Sequence, residues 1–174
     1  PINFSVPTGN FGDVYAGYLA KKIGLPINKF VVATNQNDIL HRAITNGTYN
    51  VENVFETISP SMDIQIASNF ERLIFDLNNH DDKKTIDVMK GIKEKGKYNI
   101  PKKLLDKINI NFLSSRMDEN EVLNTIKSVY EKFDKVLDPH SAIGYGAFDK
   151  VNLEGNNVVL ATAHPCKFPD AIEK

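Results

Sequence analysis

A short alternating run, Ile2-Asn3-Phe4-Ser5-Val6, ends in Pro7-Thr8-Gly9-Asn10-Phe11-Gly12. From Asp13 the apolar residues Val14, Ala16, Gly17, Leu19 and Ala20 fall at helical spacing, and Gly24-Leu25-Pro26 stops the pattern. This order of strand, glycine loop and helix constrains the chain more than any other feature. A second round follows, with a buried-strand run at Phe30-Val31-Val32-Ala33, a polar turn at Thr34-Asn35-Gln36-Asn37, and a helix from Asp38 to about Asn46 closed by Gly47. Strand and helix in strict alternation predict a mostly parallel sheet flanked by helices, an α/β fold with right-handed crossovers.

The remaining segments are read in the same way. Thr57 to Ser68 is polar and contains Pro60, and helical spacing resumes from Asn69 to Leu77 through Phe70, Leu73, Ile74 and Leu77. Asp81 to Lys103 is lysine-rich and reads as a solvated surface helix ending at a turn near Pro101. Asp118-Glu119-Asn120-Glu121 can cap a helix carrying Val122, Ile126, Val129, Tyr130 and Phe133. Asp138-Pro139-His140-Ser141 opens a short helix, and Asn157 to Thr162 reads as another buried strand.

At 174 residues the chain has the length of one domain, and 21 basic against 22 acidic side chains leave a net charge of -1. No overall field recruits nucleic acid or an anionic membrane, so any anion must be held locally. No apolar run approaches the ~18 residues of a membrane span. The lone Cys166 excludes an internal disulfide and suits a reducing compartment, and the expected location is the cytoplasm. His41, His80, His140 and His164 lack paired metal-ligand spacing, so no metal is expected, and no G-x-S-x-G elbow is present.

Gly9-Asn10-Phe11-Gly12-Asp13 is the candidate site. Between a strand and a helix the backbone N–H groups are unpaired and the positive end of the helix faces the loop. Two glycines let the backbone curl round a phosphate without side-chain obstruction, although a short G-x-x-G also serves as a plain tight turn. Neither a Walker A sequence nor a G-x-G-x-x-G fingerprint occurs, which disfavours a nucleotide. Asn35, Asn37 and Asp38 read as an Asx turn and helix cap.

Ser5 to Lys21 closely resembles the cofactor-phosphate loop and following helix of threonine synthases. The resemblance continues through Ala33 to Asp38, Ser59-Pro60-Ser61-Met62-Asp63-Ile64 with Ser68 to Leu73, Asp138 to Ala142, and Ala161-Thr162-Ala163-His164-Pro165-Cys166-Lys167-Phe168. Within these blocks Ser141 stands for the commoner Thr and Cys166 for the commoner Ala.

The resemblance implies the C-terminal part of the large domain of a fold type II enzyme dependent on pyridoxal 5'-phosphate. Such enzymes convert O-phospho-L-homoserine and water to L-threonine and phosphate. It gives Gly9, Asn10, Phe11, Gly12 and Asp13 to the cofactor phosphate, and Thr162 to the pyridine nitrogen. Ser59, Ser61, Asn69 and Arg72 become the candidate substrate ligands. Arg72 can equally be a solvated partner of Glu71, and His140 and His164 are expected to pack or cap.

The family's Schiff-base lysine precedes the glycine loop, so no catalytic lysine is assigned within residues 1–174. A chain opening at Pro1 directly into a strand reads as the C-terminal half of a longer enzyme, inactive without its lysine-bearing half. A related phospholyase and a non-catalytic module that binds a phosphorylated metabolite are the competing readings.

Overall fold

The computed structural model describes residues 1–173. Four strands, β1 (Ile2–Pro7), β2 (Ile27–Thr34), β5 (Phe112–Arg116) and β6 (Asn156–Val159), form one sheet in the order β5-β2-β1-β6. Every pairing in it is parallel. The two shortest strands, β3 (Thr48–Asn50) and β4 (Lys97–Asn99), make a separate antiparallel ribbon.

Alternation along β2 divides the core. Phe30 and Val32 point to one face, where they join Phe11, Val14, Leu73, Ile108 and Phe112. That face is covered by α1 (Gly12–Lys22), α2 (Ile39–Asn46), α3 (Phe70–Leu77), α4 (Asp82–Lys95) and α5 (Lys102–Asn111). Val31 and Ala33 point the other way, onto Val122, Ala142, Ile143 and Ala147 of α6 (Glu119–Phe133) and α7 (Pro139–Lys150). A short α8 (Pro169–Ile172) closes the described chain.

The α7 helix lies against β1 because its contact residues are small. A Cβ on Gly144 would come within 2.9 Å of Pro7 Cγ. Its carbonyl oxygen instead accepts a 2.6 Å hydrogen bond from the hydroxyl of Ser5, a buried strand residue that needs a partner on this face.

Two expectations need correction, and one segment between them carried no expectation. The lysine-rich segment is not merely surface, because α4 buries Thr85, Val88 and Ile92 and β4 then pairs with β3. The stretch after it is a further helix and strand, α5 and β5, and β5 forms one edge of the main sheet. β6 is not buried: it is the opposite edge, with Asn156, Asn157 and Val158 all exposed, because no helix covers its outer side among the described residues.

Candidate functional site

The β1–α1 connection emerges at the carboxyl end of the parallel strands, where open α/β sheets bind ligands. Its strained residue is not a glycine. Phe11, the N-cap of α1, sits in the left-handed region at φ 66° and ψ 12°, whereas Gly9 and Gly12 do not have positive φ. Burial holds it there: Phe11 is 1% exposed and meets Phe70 edge-on at 5.4 Å and Phe112 at 5.6 Å.

Phe11 has no side-chain oxygen, so α1 starts without a side-chain cap. The positive end of the helix is therefore left available to an outside acceptor. Gly9 is required for a different reason, close approach: a Cβ there would fall 2.9 Å from Ser61 O and 3.1 Å from Met62 Cα.

Asn10 fastens the loop to the start of α3. Its Oδ1 accepts from Ser68 N at 2.6 Å and Ser68 Oγ at 2.7 Å, and its carbonyl oxygen accepts from Asn69 N at 3.2 Å. Beside these contacts lies an open cavity of about 310 Å³. The glycine loop lines it together with Thr8, Ser61, Met62, Asn69, His140, Thr162 and Ala163. No lysine or arginine is among these residues, so a bound anion would be met by backbone N–H groups and the helix dipole.

The expected site residues separate into three groups. Gly9 to Asp13, Thr162, Ser61 and Asn69 converge on the cavity. Arg72 does not reach it and lines an adjoining cleft with Tyr15, Ser68, Asn69 and Glu71. Its side chain is exposed, and no carboxylate lies within ion-pairing distance among the described residues.

Ser59 is 1% exposed and is not among the residues that line the cavity. It belongs to a buried network in which Asn35 Nδ2 donates to Ser59 Oγ at 2.9 Å, Thr57 Oγ1 at 3.0 Å and Asp63 Oδ1 at 2.8 Å. Asn35 Oδ1 accepts from Asn37 N at 2.8 Å, the expected Asx turn. Asp38, however, makes no cap bond and pairs with Arg42 at 2.8 Å and Arg116 at 3.3 Å.

The far wall rests on the start of α7. Asp138 Oδ1 accepts from His140 N at 2.9 Å, from Ser141 N at 3.4 Å and from His140 Nδ1 at 3.0 Å. Its Oδ2 accepts from the Ser141 hydroxyl. Burial pushes the Asp138 carboxyl up, but these donors outweigh burial and hold it below the usual carboxylate range. The Ser141 oxygen accepts from Thr162 N at 3.2 Å, and His140 Nε2 accepts from Ser61 N at 3.3 Å.

His140 therefore packs, as expected, against Phe168 at 4.8 Å, and also lines the cavity. His164 caps a 3-10 turn by accepting from Cys166 N at 3.2 Å. The Asp138 network went unassigned in the sequence, where its one trace is the Asp-Pro-His-Ser helix start.

Comparison with known proteins decides the family. A threonine synthase from Pseudomonas aeruginosa is 43% identical over 99% of this chain. The crystal structure of a PLP-bound threonine synthase from Brucella melitensis superposes on 99% of the chain with TM-score 0.97 at 48% identity. The yeast threonine synthase structure gives 0.92 at 40% identity over the same share. The chain belongs to the threonine synthase family.

The family model described as "Threonine synthase, C-terminal" matches residues 141–174, which include the Thr162 wall. The chain spans 37% of the length of the P. aeruginosa threonine synthase, 37% of the B. melitensis chain and 38% of the yeast chain. That is nearer a third than the expected half. No helix of the described residues is long and apolar enough to cross a membrane.

Proposed function

We propose that these residues are the cofactor-phosphate and substrate-facing part of a pyridoxal 5'-phosphate-dependent threonine synthase, which converts O-phospho-L-homoserine and water to L-threonine and phosphate. The observation that carries this reading is the cavity itself, which joins an uncapped helix N-terminus to the segment that follows β6. A phosphate fits the first, because its acceptors find free N–H donors and no competing side-chain oxygen from the N-cap. A heteroaromatic nitrogen fits the second, where the Thr162 hydroxyl can hydrogen-bond to it.

In that role the backbone of Gly9 to Asp13 holds the cofactor phosphate and Thr162 steadies the ring nitrogen. The cofactor, when bound, supplies an electron sink that a hydroxyl partner leaves milder than a carboxylate would. Ser61 and Asn69 face the same space and orient the substrate's polar groups. Arg72, with its guanidinium free, serves the substrate's phosphate or carboxylate from the adjoining cleft. Ser59 acts indirectly, by fixing the segment that carries Ser61.

By the resemblance, the lysine that would hold the cofactor covalently lies outside residues 1–174, and a chain that spans 37% of the P. aeruginosa relative is in keeping with that reading. The exposed thiol of Cys166 suits a reducing compartment, and we assign the reaction to the cytoplasm.

The test is threonine and phosphate release from O-phospho-L-homoserine by the full gene product with pyridoxal phosphate, beside residues 1–174 alone. Turnover by the former and none by the latter supports the assignment. A full gene product that binds no cofactor refutes it.

A further inference from the structure

We propose that Asp138 is a positioning residue that orders the cavity from behind, through a hydrogen-bonded arm ending at Thr162 and a second ending at Ser61. The inference rests on the cofactor reading of this cavity and names a role that neither catalysis nor ligand contact requires of Asp138. Asp138 is 1% exposed, His140 3% and Ser141 2%, so water cannot substitute freely for any partner in the network.

The donor and acceptor inventory fixes the direction of each bond. An ionised carboxylate only accepts, so the Ser141 hydroxyl must donate to Asp138 Oδ2. That leaves the hydroxyl oxygen's lone pairs facing outward, and one takes the Thr162 N–H at 3.2 Å. On the other arm His140 Nδ1–H donates to Asp138 Oδ1 at 3.0 Å. The opposite nitrogen, Nε2, is then the acceptor, and it takes the Ser61 N–H at 3.3 Å.

One carboxylate thus sets a rotor and a tautomer, and each delivers a lone pair to a backbone amide lining the cavity. Segments a hundred residues apart in the chain are held by the same group, as outer-shell partners orient ligands at other sites.

A plain helix cap is the competing account, and Asp138→Asn separates the two. Asparagine caps as well as aspartate, and its Oδ1 can keep the backbone N–H groups of His140 and Ser141 and the His140 ring. Its amide nitrogen, however, replaces the oxygen that the Ser141 hydroxyl donates to, and the rotor is released. Ser141→Ala removes the same arm directly while leaving the cap intact.

Made in the full gene product, Ser141→Ala should melt close to wild type, and Asp138→Asn should melt somewhat below it at neutral pH, because it gives up the stability of the ionised carboxylate. Spectral titration with pyridoxal phosphate should show binding weakened by about tenfold in Ser141→Ala, the loss of one hydrogen bond's worth of order. Asp138→Asn should shift in the same direction, and the double variant should bind no more weakly than Ser141→Ala alone. Amide hydrogen exchange should quicken at Thr162 in both variants and stay unchanged at Ser61.

Wild-type affinity in Ser141→Ala together with unchanged exchange at Thr162 overturns the proposal, as does strict additivity in the double variant. If the wild-type gene product takes up no pyridoxal phosphate, the cofactor reading fails. Exchange at Thr162 then decides the network alone, quickened exchange upholding it and unchanged exchange refuting it.

Discussion

Two of the helix N-termini at the cavity are built in opposite ways. α7 begins at Asp138, whose carboxylate accepts from His140 N and Ser141 N and so uses up the positive end of its own helix. α1 begins at Phe11, which offers no side-chain acceptor and turns its ring into the core. The first start is closed and holds a wall in place, whereas the second is open to an external anion. Proximity of a helix start to a cavity is thus not enough to make an anion site, because what occupies the N-cap decides it.

The open start is the costlier to build, so the largest effect is expected there. Phe11→Ala removes a buried aromatic with two ring partners, at 5.4 and 5.6 Å, and should cost about 3–5 kcal/mol of stability. A denaturant midpoint that hardly moves would mean that the left-handed backbone, not the ring, anchors the loop. Gly9→Ala comes next, because both nearest atoms, at 2.9 and 3.1 Å, are backbone and cannot rotate away. We expect a loss of about 1–3 kcal/mol from overpacking. If the loop holds the cofactor phosphate as proposed, pyridoxal phosphate binding by the full gene product should weaken too.

The closed start carries a pH signature instead. Burial raises the Asp138 carboxyl, but the His140 and Ser141 donors lower it further, so its folded value lies below the usual one. A depressed carboxyl contributes stability that is present above its unfolded pKa, about 3.9, and is lost as pH falls through the folded value. Wild type should therefore lose stability on acidification below about pH 4 more steeply than Asp138→Asn. Parallel unfolding curves for the two proteins would show that the carboxylate contributes nothing as an anion.

What was legible in the sequence follows the same division between local and distant causes. β1, α1 and α2 with its Gly47 stop were readable because period, turn residues and helix ends lie within a few neighbours. β3 and β4 were not, since three residues carry no measurable alternation and their pairing joins segments about fifty residues apart. α5 hides Leu104, Leu105 and Ile108 among lysines, and β5 ends in Ser114-Ser115-Arg116, which is polar for a strand.

The glycine loop was recognised for what glycines permit, yet the positive φ fell on Phe11, and Gly9 answers to a neighbouring segment that only the fold brings near. Ser59 and Ser61 are two residues apart and chemically alike. One is sealed in the Asn35 network and the other opens to the cavity, a distinction set by tertiary packing.

A third helix start gives the comparison its control. Asp118 caps α6 in a capping box, accepting from Glu121 N at 2.9 Å while Glu121 Oε2 accepts from Asp118 N at 2.8 Å. It is chemically the same device as Asp138, but none of its partners lines the cavity. Asp118→Ala should cost about 1 kcal/mol of stability, the ordinary value of a lost cap. Pyridoxal phosphate affinity and amide exchange at Thr162 and Ser61 should stay at their wild-type levels. If affinity and exchange at Thr162 move in Asp118→Ala as they are expected to move in Asp138→Asn, the Asp138 effect is only the cost of loosening a helix. If they do not, the two caps differ by what hangs from them, and the Ser141 and His140 arms are what make α7's start part of the site.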